Sequence, residues 1–148
     1  MSTATGTSRS PLTRSPNRLV AVIFGAVYLL VALLGFLVTG GADFAGPNGT
    51  LLLGIFEVNW LHNIAHLLIG AALLIAGLSN VRAAKSVNGI VGAVYLLLGI
   101  VGFFIVDTPV DILALNTADH FLHLATAVVL LGVSIGADKD VARSRAAI

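Results

Sequence analysis

The basic residues of this chain are confined to three segments that alternate with four apolar stretches. All eight Lys and Arg residues lie in those segments: Arg9, Arg14 and Arg18; Arg82 and Lys85; and Lys139, Arg143 and Arg145. In membrane proteins, basic residues concentrate in the loops on the cytoplasmic side. The alternation therefore predicts an integral membrane protein with both termini in the cytoplasm.

The composition supports the same class. The chain is 57% hydrophobic and 10% charged, with a mean hydropathy of +1.01, whereas soluble domains contain about 25% charged residues. The sequence contains no cysteine, which excludes disulfides, thiolate metal sites and cysteine nucleophiles. The net charge of +1 is too small to indicate nucleic-acid binding, so we expect the lipid bilayer as partner and no nucleic acid.

The four apolar stretches have the length of membrane spans. At 1.5 Å per residue, about 20 residues in a helix reach about 30 Å, the thickness of the bilayer core. The first stretch is too long for the apolar region of a signal peptide, which has about 7 to 15 residues. The stretches cover about residues 19–38, 59–78, 87–106 and 117–136. We predict a disordered cytoplasmic tail over 1–17, a four-helix transmembrane domain over 18–137 and a cytoplasmic tail over 138–148.

The transmembrane domain contains an internal repeat. Gly25-Ala-Val-Tyr-Leu-Leu recurs letter for letter from Gly92, and Asn59-x-x-x-Asn-x-x-His-Leu aligns with Asn116-x-x-x-His-x-x-His-Leu. The repeats cover about residues 18–80 and 86–137. Because a two-helix unit returns to its starting side, the repeats must be parallel and related by an axis along the membrane normal. We predict an all-α fold of four transmembrane helices, arranged as two parallel two-helix repeats in a pseudo-two-fold bundle.

The histidines are the candidate site residues. His62 and His66 are spaced i, i+4, and His120 and His123 are spaced i, i+3, so each pair can share a helical face. His66 and His123 align in the repeat, and a two-fold axis would bring them together about 10 Å inside their helices. As a cofactor site, His66 and His123 could ligate a haem iron. As a divalent-metal site, the set would be His62, His66, His120, His123 and Asp119.

Two other interpretations of the histidines remain open. They could hydrogen-bond between helices or face the membrane interface, which is a purely structural role. Ionisable residues inside a membrane also mark proton and solute pathways, which leaves a transport subunit as a further alternative. No charged residue is expected near the midplane of the helices, so this alternative has less support.

The other polar residues indicate helix caps and do not support a hydrolase or an ATPase. Asn59 and Asn116 stand where their helices should begin, so we expect them to be N-caps. The serines nearest the helices lie at the end away from the histidines, which gives no support to serine hydrolysis. The Gly-rich segments lack a P-loop lysine, so ATP hydrolysis has no support either. Nothing in the sequence indicates an enzyme.

The paired motifs resemble those of a known family. Gly25-Ala-Val-Tyr-Leu-Leu, Asn59-Trp-Leu-His-Asn-Ile-Ala-His-Leu and Asn116-Thr-Ala-Asp-His-Phe-Leu-His-Leu are similar to a family of small four-helix membrane proteins common in actinobacteria, domain of unknown function 4383. The resemblance covers most of residues 18–137 and implies a plasma-membrane location, but no reaction. We expect a small plasma-membrane protein acting by binding or association within the bilayer, as a homo-oligomer or with other membrane proteins.

Overall fold

The computed structural model describes residues 11–139, and this part of the chain is mostly helical. The four long helices are α1 (Pro16–Val38), α2 (Trp60–Ser79), α3 (Val81–Ile105) and α4 (Thr117–Gly136). Two single-turn 3-10 helices cover Leu12–Arg14 and Thr39–Gly41, and two short strands, β1 (Thr50–Leu52) and β2 (Phe56–Val58), lie between α1 and α2. The four predicted helices are thus confirmed.

Side-chain caps determine where the helices begin. Ser15, Asn59, Asn80 and Asn116 each accept a hydrogen bond from the backbone amide three residues later. Asn80 is the single residue between α2 and α3, so α3 begins six residues earlier than predicted (81 against 87). Arg82 and Lys85 therefore lie on the first turns of α3 and not in a loop.

All four helices are long and apolar enough to cross a membrane. Their outward faces remain apolar: Leu37 on α1 is 80% exposed, and Phe104 on α3 is 82% exposed. On a soluble protein, such an exposed apolar surface would indicate an association site. On a membrane protein, apolar side chains are expected wherever the surface contacts lipid. These features fit a multi-pass membrane protein.

Glycines allow the helices to approach closely. A Cβ atom added at Gly25 would lie 2.6 Å from the backbone nitrogen of Leu74, and one added at Gly92 would lie 3.0 Å from that of Leu131. Small residues at such points let helix backbones pack where the hydrophobic effect between helices is absent. The helices share one core: Ala21, Tyr28, Leu73, Ala84, Val91, Tyr95, Ala127 and Leu130.

The all-α prediction missed a small hairpin. β1 and β2 pair antiparallel, with Thr50 opposite Val58 and a turn at Leu53 and Gly54, where φ is 55° and 73°. The strands have three residues each, and their apolar side chains lack the alternation that would have identified them. The hairpin is fixed to α4, because the carboxylate of Asp119 accepts a hydrogen bond from the Glu57 amide at 3.0 Å.

Part of each predicted tail is ordered. The sequence predicts disorder up to residue 17, but residues 11–17 include the first 3-10 helix and the start of α1. The reason is that Asn17 is fully buried and donates to the carbonyl of Val133 and the carboxylate of Asp138. Asp138, assigned to the other tail, is thus part of the packed region. Residues 1–10 and 140–148, where the rest of the tails was predicted, lie outside the described residues.

Candidate metal centre

The N-caps of α2 and α4 place the histidines. Asn59 accepts from the His62 amide at 2.9 Å, and Asn116 accepts from the Asp119 amide at 3.1 Å. The Asp119 carboxylate returns the contact by accepting from the Asn116 amide at 3.0 Å, which completes a capping box. Both predicted N-caps are confirmed. They fix the register of the first two turns, on which His62, His66 and His123 lie.

Three histidines come together inside the protein. Ring nitrogens of His62, His66 and His123 all lie within 4.8 Å of one another. Nε2 of His62 is 3.2 Å from Nε2 of His66, and the His62 and His123 ring centroids are 6.1 Å apart. All three side chains are buried. The repeat-aligned pair His66 and His123 does meet, and His62 joins it.

Two tyrosines hold the rings of the repeat-aligned pair. The Tyr28 ring centroid is 5.1 Å from that of His66, and the Tyr95 centroid is 4.8 Å from that of His123. The two tyrosine rings also stack on each other at 5.5 Å. Because Tyr28 comes from α1 and Tyr95 from α3, every long helix contributes a ring to this cluster. Such packing restricts the rotamers of the imidazoles, which favours a preorganised site.

The cluster retains unused hydrogen-bonding capacity. Nδ1 of each of the three imidazoles is buried and lacks a hydrogen-bond partner among the described residues. Backbone groups of Glu57 and Leu113 lie near the His62 ring, but none reaches its Nδ1 with hydrogen-bond geometry. A buried polar atom left unsatisfied costs about 1–3 kcal/mol. The described residues therefore do not satisfy the hydrogen-bonding capacity of this cluster.

The structure does not bring His120 and Asp119 to this cluster. The His120 ring packs on Phe103 at 4.9 Å and fills the space that Gly102 leaves open. The Asp119 carboxylate is occupied by the amides of Asn116 and Glu57. Because the cap directs Asp119 towards the hairpin, the following residue points towards α3. The predicted metal set thus divides into three clustered histidines and two residues that serve packing and capping.

A cavity of about 160 Å³ adjoins the cluster. It lies between α1, α4 and the hairpin. Most of its lining is apolar, and the residues with polar groups along it are Tyr28, His66, Asp119, His123 and Thr126. Sequence reasoning missed Thr126. Its signal is a polar residue within an apolar helix, where the aligned residue of the first repeat is Ile69. A second cavity, of about 20 Å³, borders the cluster on the side of α2 and α3.

Asp111 anchors the loop before α4. It is 2% exposed, and both carboxylate oxygens accept from the Leu115 amide, at 3.1 and 3.0 Å. Burial raises the pKa of this carboxyl above its ordinary value, and the hydrogen bonds from the backbone oppose that shift. The contact holds the segment that leads into the Asn116 cap, and so it supports the placement of His123 indirectly.

The comparisons with known proteins identify a family. Its sequence profile matches residues 18–136, most of the chain, and its description is Domain of unknown function (DUF4383). The match confirms the family that the repeated motifs indicated. No match was found among curated proteins or among solved structures.

Proposed function

Because the chain belongs to a family whose description assigns no function, we propose one from its own geometry: a small membrane protein that binds a transition-metal ion through His62, His66 and His123. One observation carries the proposal, namely three buried imidazoles with nitrogens within 4.8 Å of one another. Imidazole is a good ligand for zinc, copper, iron and nickel.

The spacing of the nitrogens suits such an ion. Zinc bonds imidazole nitrogen at about 2.0–2.1 Å, so two ligands of a tetrahedral zinc lie about 3.3 Å apart. The His62 and His66 nitrogens, at 3.2 Å, already have this separation. The other separations are at most 4.8 Å, so an ion would have to draw the third nitrogen closer by no more than about 1.5 Å. Three protein ligands leave the fourth position open for an exogenous ligand.

Haem fits this geometry less well. A haem with two axial histidines needs room for a planar macrocycle between His66 and His123. The ring of His62 lies against that of His66 and 6.1 Å from that of His123. The adjoining cavities, of about 160 and 20 Å³, are both smaller than the macrocycle. A single ion needs no such space, so the metal proposal is preferred.

The proposal includes a pseudo-two-fold bundle of two parallel repeats. Aligned residues make matching contacts: Gly35 lies against Asn63 and Gly102 against His120, while the Tyr28 ring contacts His66 and the Tyr95 ring contacts His123. Matching contacts between aligned residues are expected if the two repeats are related by internal symmetry and are not expected otherwise. The symmetry places the aligned histidines next to each other at the junction of the two repeats.

The proposal also places the chain in the plasma membrane with cytoplasmic termini, so that the hairpin and the metal centre lie near the outer face. The distribution of Lys and Arg supports this orientation. Because the sequence has no cysteine, single cysteines can report it. A membrane-impermeant maleimide added to intact cells should label Ala45→Cys, in the loop before the hairpin, and spare Ser79→Cys. The reverse pattern would overturn the orientation.

Metal analysis of the purified protein tests the function. We expect about one ion per chain after gentle purification or after titration with Zn²⁺. His62→Ala, His66→Ala and His123→Ala should each reduce this occupancy at least tenfold. His120→Ala is the matched control, since it removes a buried histidine of α4 that lies outside the cluster, and it should retain the metal.

Circular dichroism without added metal keeps the test interpretable, because it shows whether each variant is folded. Folded variants that lose metal together support the proposal. A wild-type protein that is metal-free and does not bind Zn²⁺ at micromolar concentration would overturn it and leave the histidines as a hydrogen-bonded structural cluster. Metal binding that persists in all three variants would overturn it as well.

A further inference from the structure

The larger cavity has an apolar wall and a polar end. Phe24 and Val31 of α1 and Phe56 of the hairpin form much of the wall. At the inner end, Thr126 and Tyr28 lie side by side, next to the rings of His66 and His123. Hydroxyl and imidazole groups can donate hydrogen bonds to an oxygen atom. The cavity therefore suits a molecule that is mainly apolar and carries an oxygen at one end.

Exposed residues line the cavity in two places. Leu53, in the turn of the hairpin, is 73% exposed. Val27 on α1 and Leu122 on α4 are 50% and 46% exposed, so an entrance between these two residues faces the bilayer. Both lie on the apolar surface between these two helices. A ligand that enters there comes from the lipid phase, and any chain attached to it can remain between α1 and α4. This geometry favours a lipid-soluble ligand over an ion or a sugar.

The volume limits the size of the ligand. A cavity of about 150 Å³ engineered in another protein holds benzene. The present cavity, about 160 Å³, can thus accept one six-membered ring. We propose that it binds the ring of a lipid-soluble quinone or quinol, whose oxygen accepts from or donates to Thr126 and Tyr28 and whose apolar tail leaves between α1 and α4.

The two halves of the chain form cavities of different size next to their aligned tyrosines. The small cavity lies beside Tyr95, the residue aligned with Tyr28, but it measures only about 20 Å³. Ile69 stands there in place of Thr126, and His62 in place of Asp119. The His62 ring borders and narrows that space, whereas the cap draws the Asp119 side chain towards the hairpin. This ligand site is additional to the metal centre and does not require the ion.

Photolabelling can locate the ligand. The full chain in lipid nanodiscs is irradiated with a photoreactive benzoquinone that carries a decyl tail, and the labelled peptides are identified by mass spectrometry. We expect labelling of α1, α4 and the hairpin around the cavity, and competition by unlabelled decyl-benzoquinone. Val27→Trp should reduce labelling at least tenfold by blocking the entrance. Val94→Trp, the aligned position on α3, is the matched control and should leave labelling unchanged.

A second pair of variants tests the polar end without changing the entrance. Thr126→Ile installs the residue of the first repeat and should weaken competition by decyl-benzoquinone about fivefold, the loss of one hydrogen bond. Ile69→Thr, its mirror, should have no effect. Labelling spread evenly over the lipid-facing helices, or labelling that Val27→Trp and Thr126→Ile leave unchanged, would overturn the proposal.

The same samples separate this inference from the metal proposal. His62→Ala should lose metal and keep the quinone label, because His62 borders the small cavity and not the large one. Labelling that persists when no sample binds metal would leave the quinone site standing alone. Metal binding without any cavity labelling would overturn the quinone site and spare the metal centre.

Discussion

The two halves of the molecule, α1 with α2 and α3 with α4, use aligned residues in two ways. Identical pairs serve packing and the centre of the cluster: Gly25 and Gly92, Tyr28 and Tyr95, His66 and His123. Three further aligned pairs differ in residue type, and only one of their members, His62, belongs to the cluster: His62 and Asp119, Asn63 and His120, Ile69 and Thr126. Aligned positions that differ thus give the two halves unlike surroundings: the proposed metal centre, which includes His62, and a cavity bordered by Asp119 and Thr126.

At the opposite end of the helices, the two halves use aligned basic residues in the same way. Arg18 donates to the carbonyls of Gly77 and Leu78 at 2.8 and 3.1 Å, at the end of α2. Lys85, its aligned residue, donates to the carbonyl of Ala137 at 2.7 Å, after α4. Cations at helix C-termini satisfy free carbonyls and interact favourably with the helix dipole. Basic residues that indicated topology in the sequence thus also cap helices.

Removing a ligand of the proposed metal centre should have the largest effect. His62→Ala removes one imidazole, so metal at 100 times its dissociation constant should no longer contribute about 2.7 kcal/mol to the free energy of unfolding. Asp119→His should keep the metal and cost about 1 kcal/mol through the lost cap. Thermal unfolding with and without EDTA measures both. If metal stabilised the two variants equally, the assignment of His62, and not Asp119, as a ligand would be wrong.

Alanine at the aligned glycines should rank second. Gly25→Ala forces a Cβ against backbone atoms of Leu74 and Gly70, whereas Gly92→Ala first meets the Leu131 side chain, which can move. Overpacking costs about 1–3 kcal/mol, and we expect Gly25→Ala at the upper end and Gly92→Ala at the lower. Denaturant unfolding in mixed micelles gives the two values. An equal or reversed order would show that the halves do not pack as the contacts imply.

Removing the basic side chains that cap α2 and α4 should have the third-largest effect on the free energy of unfolding. Arg18→Ala loses, among its interactions, the hydrogen bonds to the carbonyls of Gly77 and Leu78, made by a side chain that is 5% exposed, and we expect a cost of about 1.5–3 kcal/mol. Lys85→Ala loses one bond from a more exposed side chain and should cost about 0.5–1 kcal/mol. Unfolding in the same micelles is the measurement, and Lys85→Ala serves as control. A larger cost for Lys85→Ala would refute the ranking.

The smallest effect concerns Asp111, which lies in the loop before α4. Because its pKa is raised in the folded protein, its contribution favours folding below the ordinary value of 3.8 and is lost as pH rises through the folded pKa. Asp111→Asn should therefore flatten the fall in unfolding free energy as pH rises from about 4. Unfolding at a series of pH values tests this. An unchanged slope would mean that another group dominates.

Some features of the site could be predicted from local sequence signals, and others could not. The N-caps Asn59 and Asn116 and the meeting of His66 and His123 followed from spacing and repetition. The positions of His120 and Asp119 outside the cluster could not be predicted, because they depend on which neighbour each side chain contacts. Asp119 meets the Glu57 amide of a hairpin, and His120 meets the gap at Gly102, contacts between residues far apart in sequence.

Local sequence signals specify the number of helices, their approximate ends and their apolar character, because apolar runs and capping residues act over a few neighbouring positions. The tertiary structure alone decided that His62 completes the cluster, that a hairpin covers α4 and that a cavity opens beside Thr126. Those features depend on the rotation of each helix about its axis, and only the packing of all four helices and the hairpin sets that rotation.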